Sequence, residues 1–78
     1  MNKTRKKELD SIVCELNELQ LRIESVRDDE QEAYDNMPEG LQESDRGCQM
    51  EENVDDLDLA CSDLEDVIRA IQGVIDNN

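Results

Sequence analysis

Apolar residues recur alternately every three and four positions in two long segments, one on each side of a single proline. The first segment contains Leu9, Ile12, Leu16, Leu19, Ile23, Val26 and Ala33, and Glu30 is the one position of its repeat that is not apolar. The second contains Met50, Val54, Leu57, Cys61, Leu64, Ile68, Ile71 and Ile75. This spacing is the a and d pattern of a heptad repeat, typical of helices that pack along a shared seam. The chain is therefore predicted to be all-α, with two long coiled-coil helices.

The two helices are separated by a short turn around Pro38. Proline removes a backbone donor and pushes the preceding residue out of the helical conformation, so the first helix must end before it. Ser44 is the best N-cap for the second helix. We predict one domain over residues 1–78, with a helix at 4–35, a turn at 36–43 and a helix at 44–76. Within this link, residues 38–42 are long enough to form one short turn of helix.

Two apolar seams of similar length joined by a short link predict an antiparallel hairpin. In the expected register, facing residue numbers sum to about 80, so that Leu9 meets Ile71 and Leu16 meets Leu64. A sum of 87 pairs the same heptad positions but needs a loop of about fourteen residues, which is long for this motif.

A third apolar stripe borders the seam of the second helix at heptad position g. It consists of Ala60, Val67 and Val74, seven residues apart. One partner helix leaves this stripe uncovered, and a second copy of the chain is its simplest cover. We therefore expect a homodimer that forms a four-helix bundle, with Ala60, Val67 and Val74 at the dimer interface.

The composition argues against an enzyme. The chain has no His and no nucleotide-binding or hydrolase motif, and a two-helix rod offers no pocket in which a carboxylate could be tuned. Cys14, Cys48 and Cys61 form no C-x-x-C pair, so we expect free thiols and no metal or other cofactor. No apolar run is long enough for a membrane span, and no signal peptide is evident. We expect a cytoplasmic protein.

Acidic residues are concentrated in the middle of the chain. Residues 28–66, the acidic block, hold sixteen of the twenty-two Asp and Glu residues and one base, Arg46, so their net charge is −15. Residues 1–27 carry +1 and residues 67–78 carry 0. In the predicted hairpin the acidic block forms the end of the rod that contains the turn. That end therefore accounts for the net charge of −14.

The acidic block costs the helices some stability. Asp28–Glu32 and Glu51–Asp55 are like-charged pairs at i, i+4, and each such pair costs about a few tenths of a kcal/mol. The first helix also has bases at its start and acids at its end, against its macrodipole. A surface that served solubility alone would mix its charge signs. These features favour a binding role for the carboxylates.

The charge density of the acidic block approaches that of DNA. Folded in two, the block spans roughly 30 Å, or about one charge per 2 Å, whereas B-DNA carries about one per 1.7 Å. We expect it to bind a basic protein surface and not nucleic acid itself, because phosphate would repel it. The candidate partner-binding residues are Asp28, Asp29, Glu32, Asp35, Glu39, Glu43, Asp45, Glu51, Glu52, Asp55, Asp56 and Asp58.

The segment QEAYDNMPEGLQESDRG, residues 31–47, resembles a family of small acidic proteins encoded by bacteria and their prophages, with a QEAYDNxPExLQxSxRG motif. Gly40 and Cys48 depart from the residues more usual in that family, Ser and Glu. The resemblance implies a helical hairpin, a phage context and a place in the cytoplasm of a bacterial host. It also suggests an inhibitor of a host defence protein, for example of the anti-CRISPR type.

Two functions from different classes follow. The first is a non-enzymatic inhibitor that imitates DNA and blocks a nucleic-acid-binding defence protein through the acidic surface. The alternative is a structural or adaptor coiled-coil homodimer without nucleic-acid mimicry, whose working surface is the Ala60, Val67 and Val74 stripe. A bundle that sequesters a small ligand is a weaker third hypothesis, because the predicted core lacks polar groups and aromatic rings.

Overall fold

The computed structural model describes residues 1–78 as three α-helices without a strand. Helix α1 is Lys3–Asp35, α2 is the single turn Glu39–Gln42, and α3 is Asp45–Asp76. Helices α1 and α3 lie side by side over their length, and the molecule measures 59 × 15 × 13 Å. This confirms the all-α, elongated hairpin. The long helices begin and end within one residue of the expected positions.

The N-termini of both long helices are capped by side chains. Asn2 accepts a hydrogen bond from the Arg5 N–H at 2.9 Å at the start of α1. Ser44, the expected N-cap, accepts one from the Gly47 N–H at 3.3 Å at the start of α3. Each cap satisfies one of the backbone donors that the first turn of a helix leaves without a partner. Pro38 directly precedes α2 with φ −56°.

Helix α1 packs through a different face from the one expected. With Leu9 at position a, the expected d positions are Ile12, Leu19, Val26 and Ala33. Ile12 is half-buried, but Leu19 and Val26 are 43% and 58% exposed and Ala33 is exposed too. The side chains that turn inward instead are those at position e: buried Val13 and half-buried Gln20, Arg27 and Tyr34. The expected a/d seam of α1 is therefore wrong, and its inner face is a/e.

Hydrogen bonds to α3 account for this rotation of α1. Gln20 donates to the Cys61 carbonyl oxygen at 3.1 Å, Arg27 to Asp58 at 2.8 Å, and the Tyr34 hydroxyl to Glu51 at 2.8 Å. These long polar side chains find partners on α3, which the shorter apolar side chains at d cannot do. The numbers of the residues so joined sum to 81–85. The register therefore lies between the two considered from sequence.

Helix α3 supplies most of the core from its a positions. Val54, Cys61 and Ile75 are buried, at 8%, 5% and 9% exposed. The d positions, Met50, Leu57, Leu64 and Ile71, are half-buried. No side chain in the molecule is fully enclosed. The core is therefore a single thin layer between two helices.

Close backbone packing at the turn depends on Gly47. This residue is buried in the first turn of α3, against the end of α2. A methyl carbon built on it would lie 2.6 Å from the Gln42 carbonyl carbon and 2.7 Å from its Cα. Gln42 also donates to the Tyr34 carbonyl oxygen at 2.9 Å, which ties α2 to the end of α1. Gly47 thus permits the contact that folds the chain back on itself.

Candidate functional site

The fold divides the charge of the rod unequally along its length. Because Gln20 contacts Cys61 near the midpoint, we call residues 20–63 the turn half, and residues 1–19 with 64–78 the terminal half. The turn half carries a net charge of −12 and the terminal half −2. The terminal half also holds the basic N-terminal residues, of which Lys6 donates to the Asn78 carbonyl oxygen at 3.0 Å. The molecule is therefore strongly acidic at one end.

All twelve candidate partner-binding carboxylates are exposed, but they do not share one face. Asp29 and Asp56 line a shallow groove between the helices on one side of the hairpin. Glu51 and Asp55 border another groove, beside Tyr34, on the opposite side. The acidic residues therefore encircle the turn half, so the site is an acidic rod end and not a flat patch. The full set is Asp28, Asp29, Glu32, Asp35, Glu39, Glu43, Asp45, Glu51, Glu52, Asp55, Asp56 and Asp58.

Very little positive charge compensates these carboxylates. Arg27 pairs with Asp28 at 3.0 Å and with Asp58 at 2.8 Å, and the other ten candidate residues form no ion pair. The hydrogen bonds that Arg27 donates to Asp28 and Asp58 raise the pKa of its guanidinium above the usual value. Arg27 therefore keeps its charge, and it bridges α1 and α3 on one edge of the hairpin. The remaining carboxylates are free to meet an external cation.

Two polar contacts inside the turn half were not foreseen from the sequence. Asn53 donates to Glu30 at 2.8 Å across the helices, and Arg27 reaches Asp58. Glu30 was visible as the one break in the apolar repeat of α1. Arg27 gave no such signal, because its heptad position, e, is not one of the a and d positions that the repeat assigns to the seam. For Glu30, the sequence signal of a polar contact between the helices was a charged residue at a position where the repeat expects an apolar one.

Tyr34 is the single aromatic residue and lies at the turn end of the seam. It is half-buried, and its hydroxyl donates to Glu51 at 2.8 Å. That hydrogen bond, followed by desolvation, raises the pKa of the Tyr34 hydroxyl above its usual value near 10. Tyr34 therefore both covers the end of the core and holds one of the candidate carboxylates in place.

One side of the hairpin exposes apolar stripes from both long helices. Val26 and Ala33 belong to the uncovered d stripe of α1, and Val26 lines a groove together with Asn53 of α3. Asn53 lies one heptad before Ala60 at position g, so the d stripe of α1 and the g stripe of α3 border the same side. We call this side the open face. It comprises Leu19, Val26 and Ala33 of α1 with Ala60, Val67 and Val74 of α3.

The expected dimer residues are accessible on the open face. Val67 and Val74 are 47% and 42% exposed, and Ala60 is exposed as well. The part of the open face that the sequence did not indicate is its α1 side, because Leu19 and Val26 were assigned to the seam. Contiguous exposed apolar side chains of this kind make the open face a candidate interaction surface.

The cysteines lie in different environments. Cys14 and Cys48 are exposed, whereas Cys61 is buried in the seam. Burial raises the pKa of the Cys61 thiol, which favours the neutral form. No group of three or more His, Cys, Asp or Glu side chains is placed to hold a metal ion. No helix has the length and apolar character needed to cross a membrane.

Comparison with protein-family models, with curated proteins and with solved structures finds no match to this chain. The function must therefore be argued from the acidic turn half and the open face themselves.

Proposed function

We propose that this protein is a non-enzymatic inhibitor that binds the basic, nucleic-acid-binding surface of another protein through its acidic turn half. The observation that carries the proposal is the uncompensated charge: of the sixteen acidic residues in the acidic block, Asp28, Asp58 and Glu65 are the ones that form ion pairs. Twelve of the other thirteen carboxylates lie in the turn half, and none of them is paired with a cation. A basic groove supplies the missing cations.

The dimensions of the turn half suit such a groove. The α3 part of the acidic block, residues 45–66, is about 33 Å long at about 1.5 Å per residue. With a net charge of −15 for the block, this gives about one charge per 2.2 Å of rod, compared with about one per 1.7 Å for B-DNA. The rod is 13–15 Å thick between Cα extremes. Because carboxylates lie on all sides of the rod, a basic groove can contact it from several directions, as it contacts a DNA duplex.

The biological setting follows from the family resemblance of residues 31–47. A small acidic protein from a phage or prophage would act in the cytoplasm of its bacterial host. Its partner there would be a nucleic-acid-binding defence protein, and the mode of action would be of the anti-CRISPR type. DNA mimicry of this kind needs no catalytic group and no cofactor.

The homodimer belongs to the same proposal. The open face is uncovered in the single chain, and a second hairpin would complete a four-helix bundle through Ala60, Val67 and Val74. The dimer would leave the outer carboxylates of the turn half accessible. Dimerisation would thus use the open face, which Asp29 and Asp56 border, and partner binding would use the carboxylates on the other sides of the turn half, such as Glu51 and Asp55.

Charge-neutralising substitutions test the inhibitor proposal. The protein is immobilised and used to capture nucleic-acid-binding proteins from a nuclease-treated bacterial extract. Each captured protein is then titrated with labelled duplex DNA in the presence of the free acidic protein. We expect displacement of DNA, with an inhibition constant that weakens steeply between low and high salt. The test variant combines Glu51→Gln, Glu52→Gln, Asp55→Asn and Asp56→Asn, and we expect it to inhibit at least about tenfold more weakly.

A matched control changes the net charge by the same amount at the other end of the rod. It combines Glu8→Gln, Asp10→Asn, Glu15→Gln and Asp76→Asn, and we expect it to inhibit like the wild type. Equal loss in both variants, or an affinity that does not change with salt, contradicts mimicry by the turn half.

The open face favours one second candidate function, an adaptor in which the apolar stripe binds the partner. In that case the variant in which Glu51, Glu52, Asp55 and Asp56 are made neutral still binds the partner. Val67→Glu, at a residue 47% exposed, then abolishes partner binding, because it places a charge in an apolar interface.

A further inference from the structure

We infer that the open face is covered by a second copy of this chain in antiparallel orientation, so that the turn half of each hairpin lies beside the terminal half of the other. The inference rests on the homodimer proposed above and specifies its surface and its direction. It adds the d stripe of α1, Leu19, Val26 and Ala33, to the dimer interface.

The uncovered surface is large enough for a stable dimer. A single chain has 5774 Å² of accessible surface. A compact protein of 9.0 kDa would have about 4,900 Å². One side of the hairpin measures 59 by 15 Å, or about 900 Å², which is close to the ~800 Å² that each partner buries in a standard interface. A second hairpin packed on this side would therefore bury an area similar to the excess of accessible surface over that of a compact protein.

Charge decides the orientation. In a parallel dimer the two turn halves lie side by side, and a net charge of −12 faces another −12 at a helix spacing of about 10 Å. In the antiparallel dimer each −12 faces −2. The centres of the two turn halves are then roughly 25–30 Å apart, which is beyond the Debye length of about 8 Å at physiological salt. Screening therefore removes most of the repulsion between the turn halves only in the antiparallel arrangement.

The apolar residues are placed for a twofold axis at mid-length. Leu19 is the central residue of α1, Lys3–Asp35, and Ala60 is next to the centre of α3, Asp45–Asp76. Both lie on the open face. A perpendicular twofold axis near Leu19 brings the middle of one open face onto the middle of the other, where the small Ala60 side chain permits close approach. The resulting bundle has an acidic end at each extremity and can bind two basic partners.

A distance measurement between spin labels tests the orientation. Ala33→Cys is made in a chain that also carries Cys14→Ser, Cys48→Ser and Cys61→Ala, is labelled with a nitroxide, and is examined by double electron–electron resonance. Ala33 is fourteen residues from Leu19, so the two labels should be about 42 Å apart in the antiparallel dimer. In a parallel dimer they should be within about 20 Å. Circular dichroism and the mass by light scattering are recorded on the same labelled sample.

Paired substitutions test the surface. Leu19→Glu with Val67→Glu places two charges on the open face, and we expect the dimer dissociation constant to rise at least about 100-fold. Leu21→Glu with Leu59→Glu is the matched control, because these residues are 66% and 61% exposed at position f, away from the open face. We expect the control to change the dissociation constant by less than about threefold.

The outcomes separate this inference from the proposed inhibitor function. A long label distance together with dissociation in the Leu19/Val67 variant alone supports the inference. If the chain is a dimer and the label distance is short, the antiparallel orientation is overturned, although the dimer itself is supported. A wild-type chain with monomer mass overturns the dimer and this inference together. None of these results decides whether the turn half displaces DNA, which the salt-dependent inhibition assay measures independently.

Discussion

The turn half and the terminal half of the rod hold their helices together in different ways. In the turn half, polar side chains join α1 to α3: Tyr34 with Glu51, Asn53 with Glu30, and Arg27 with Asp58. The terminal half depends mainly on apolar packing around Val13 and Ile75, and it leaves apolar side chains such as Val67 and Val74 uncovered. The turn half thus has specific side-chain contacts between the helices and excess charge, and the terminal half has little charge, whereas both halves leave apolar side chains of the open face uncovered.

The difference between the halves explains how such a thin protein can hold one register. Hydrogen bonds between particular residues exist in one alignment of the two helices, whereas a repeated apolar stripe tolerates a slip of one heptad. The polar contacts in the turn half therefore fix the alignment. The open face, which extends through both halves, is available for a second chain.

The thiols probe the middle of the rod, where the two halves meet. Because Cys61 is 5% exposed and burial raises the pKa of its thiol, it should react with a disulfide reagent at least about 100-fold more slowly than Cys14 and Cys48 at neutral to mildly alkaline pH. A time course with Ellman's reagent should show two fast thiols and one slow thiol, and three fast thiols in denaturant. Three fast thiols without denaturant would show that the helices separate readily at mid-length.

Gly47→Ala tests the packing of the turn. The added methyl group would overlap the Gln42 backbone, so α2 or α3 must shift, and we expect a loss of about 1–3 kcal/mol in the free energy of unfolding. Thermal denaturation should show a melting temperature lower by several degrees or more. Gly40→Ala and Gly73→Ala are the controls, because nothing lies within 4 Å of a methyl carbon built at either position. Similar melting temperatures for all three variants would contradict close packing at Gly47.

The acidic charge of the turn half should lower its stability at low salt. The variant with Glu51→Gln, Glu52→Gln, Asp55→Asn and Asp56→Asn loses the like-charged i, i+4 pairs Glu51–Asp55 and Glu52–Asp56, so its melting temperature should rise by a few degrees. Added salt should raise the melting temperature of the wild type more than that of this variant. The variant with Glu8, Asp10, Glu15 and Asp76 made neutral should remain close to the wild type. A larger gain in this control would place the repulsion in the terminal half.

Titration of Tyr34 gives the smallest effect and reports on one polar contact of the turn half. The neutral hydroxyl donates to Glu51, so the pKa of Tyr34 is higher in the folded chain than in the unfolded one. The contribution of this contact to stability is full below the unfolded pKa near 10 and is lost as pH rises through the folded value. Glu51→Gln should move the tyrosinate absorbance midpoint down towards 10. An unchanged midpoint would show that Glu51 does not set the pKa.

The sequence by itself determined the two helices, their ends and the location of the charge. Pro38 breaks the chain, Ser44 caps α3, and the alternating three- and four-residue spacing requires helices with one apolar side. These are local properties, because capping and helical period involve residues within a turn or two of one another. Net charge along the chain follows directly from composition. The heptad repeat, which is also a local property, placed Cys61 in the core.

The tertiary structure decided which side of each helix faces the other. Leu19 and Val26 fit the heptad seam, yet they lie outside because Gln20, Arg27 and Tyr34 find partners on α3. Those partners are separated by up to 41 residues along the chain, so no local pattern reveals them. The need for Gly47 likewise arises only when α2 meets α3. Rotation of a helix about its own axis depends on contacts between segments distant in sequence, and here it exposes the open face.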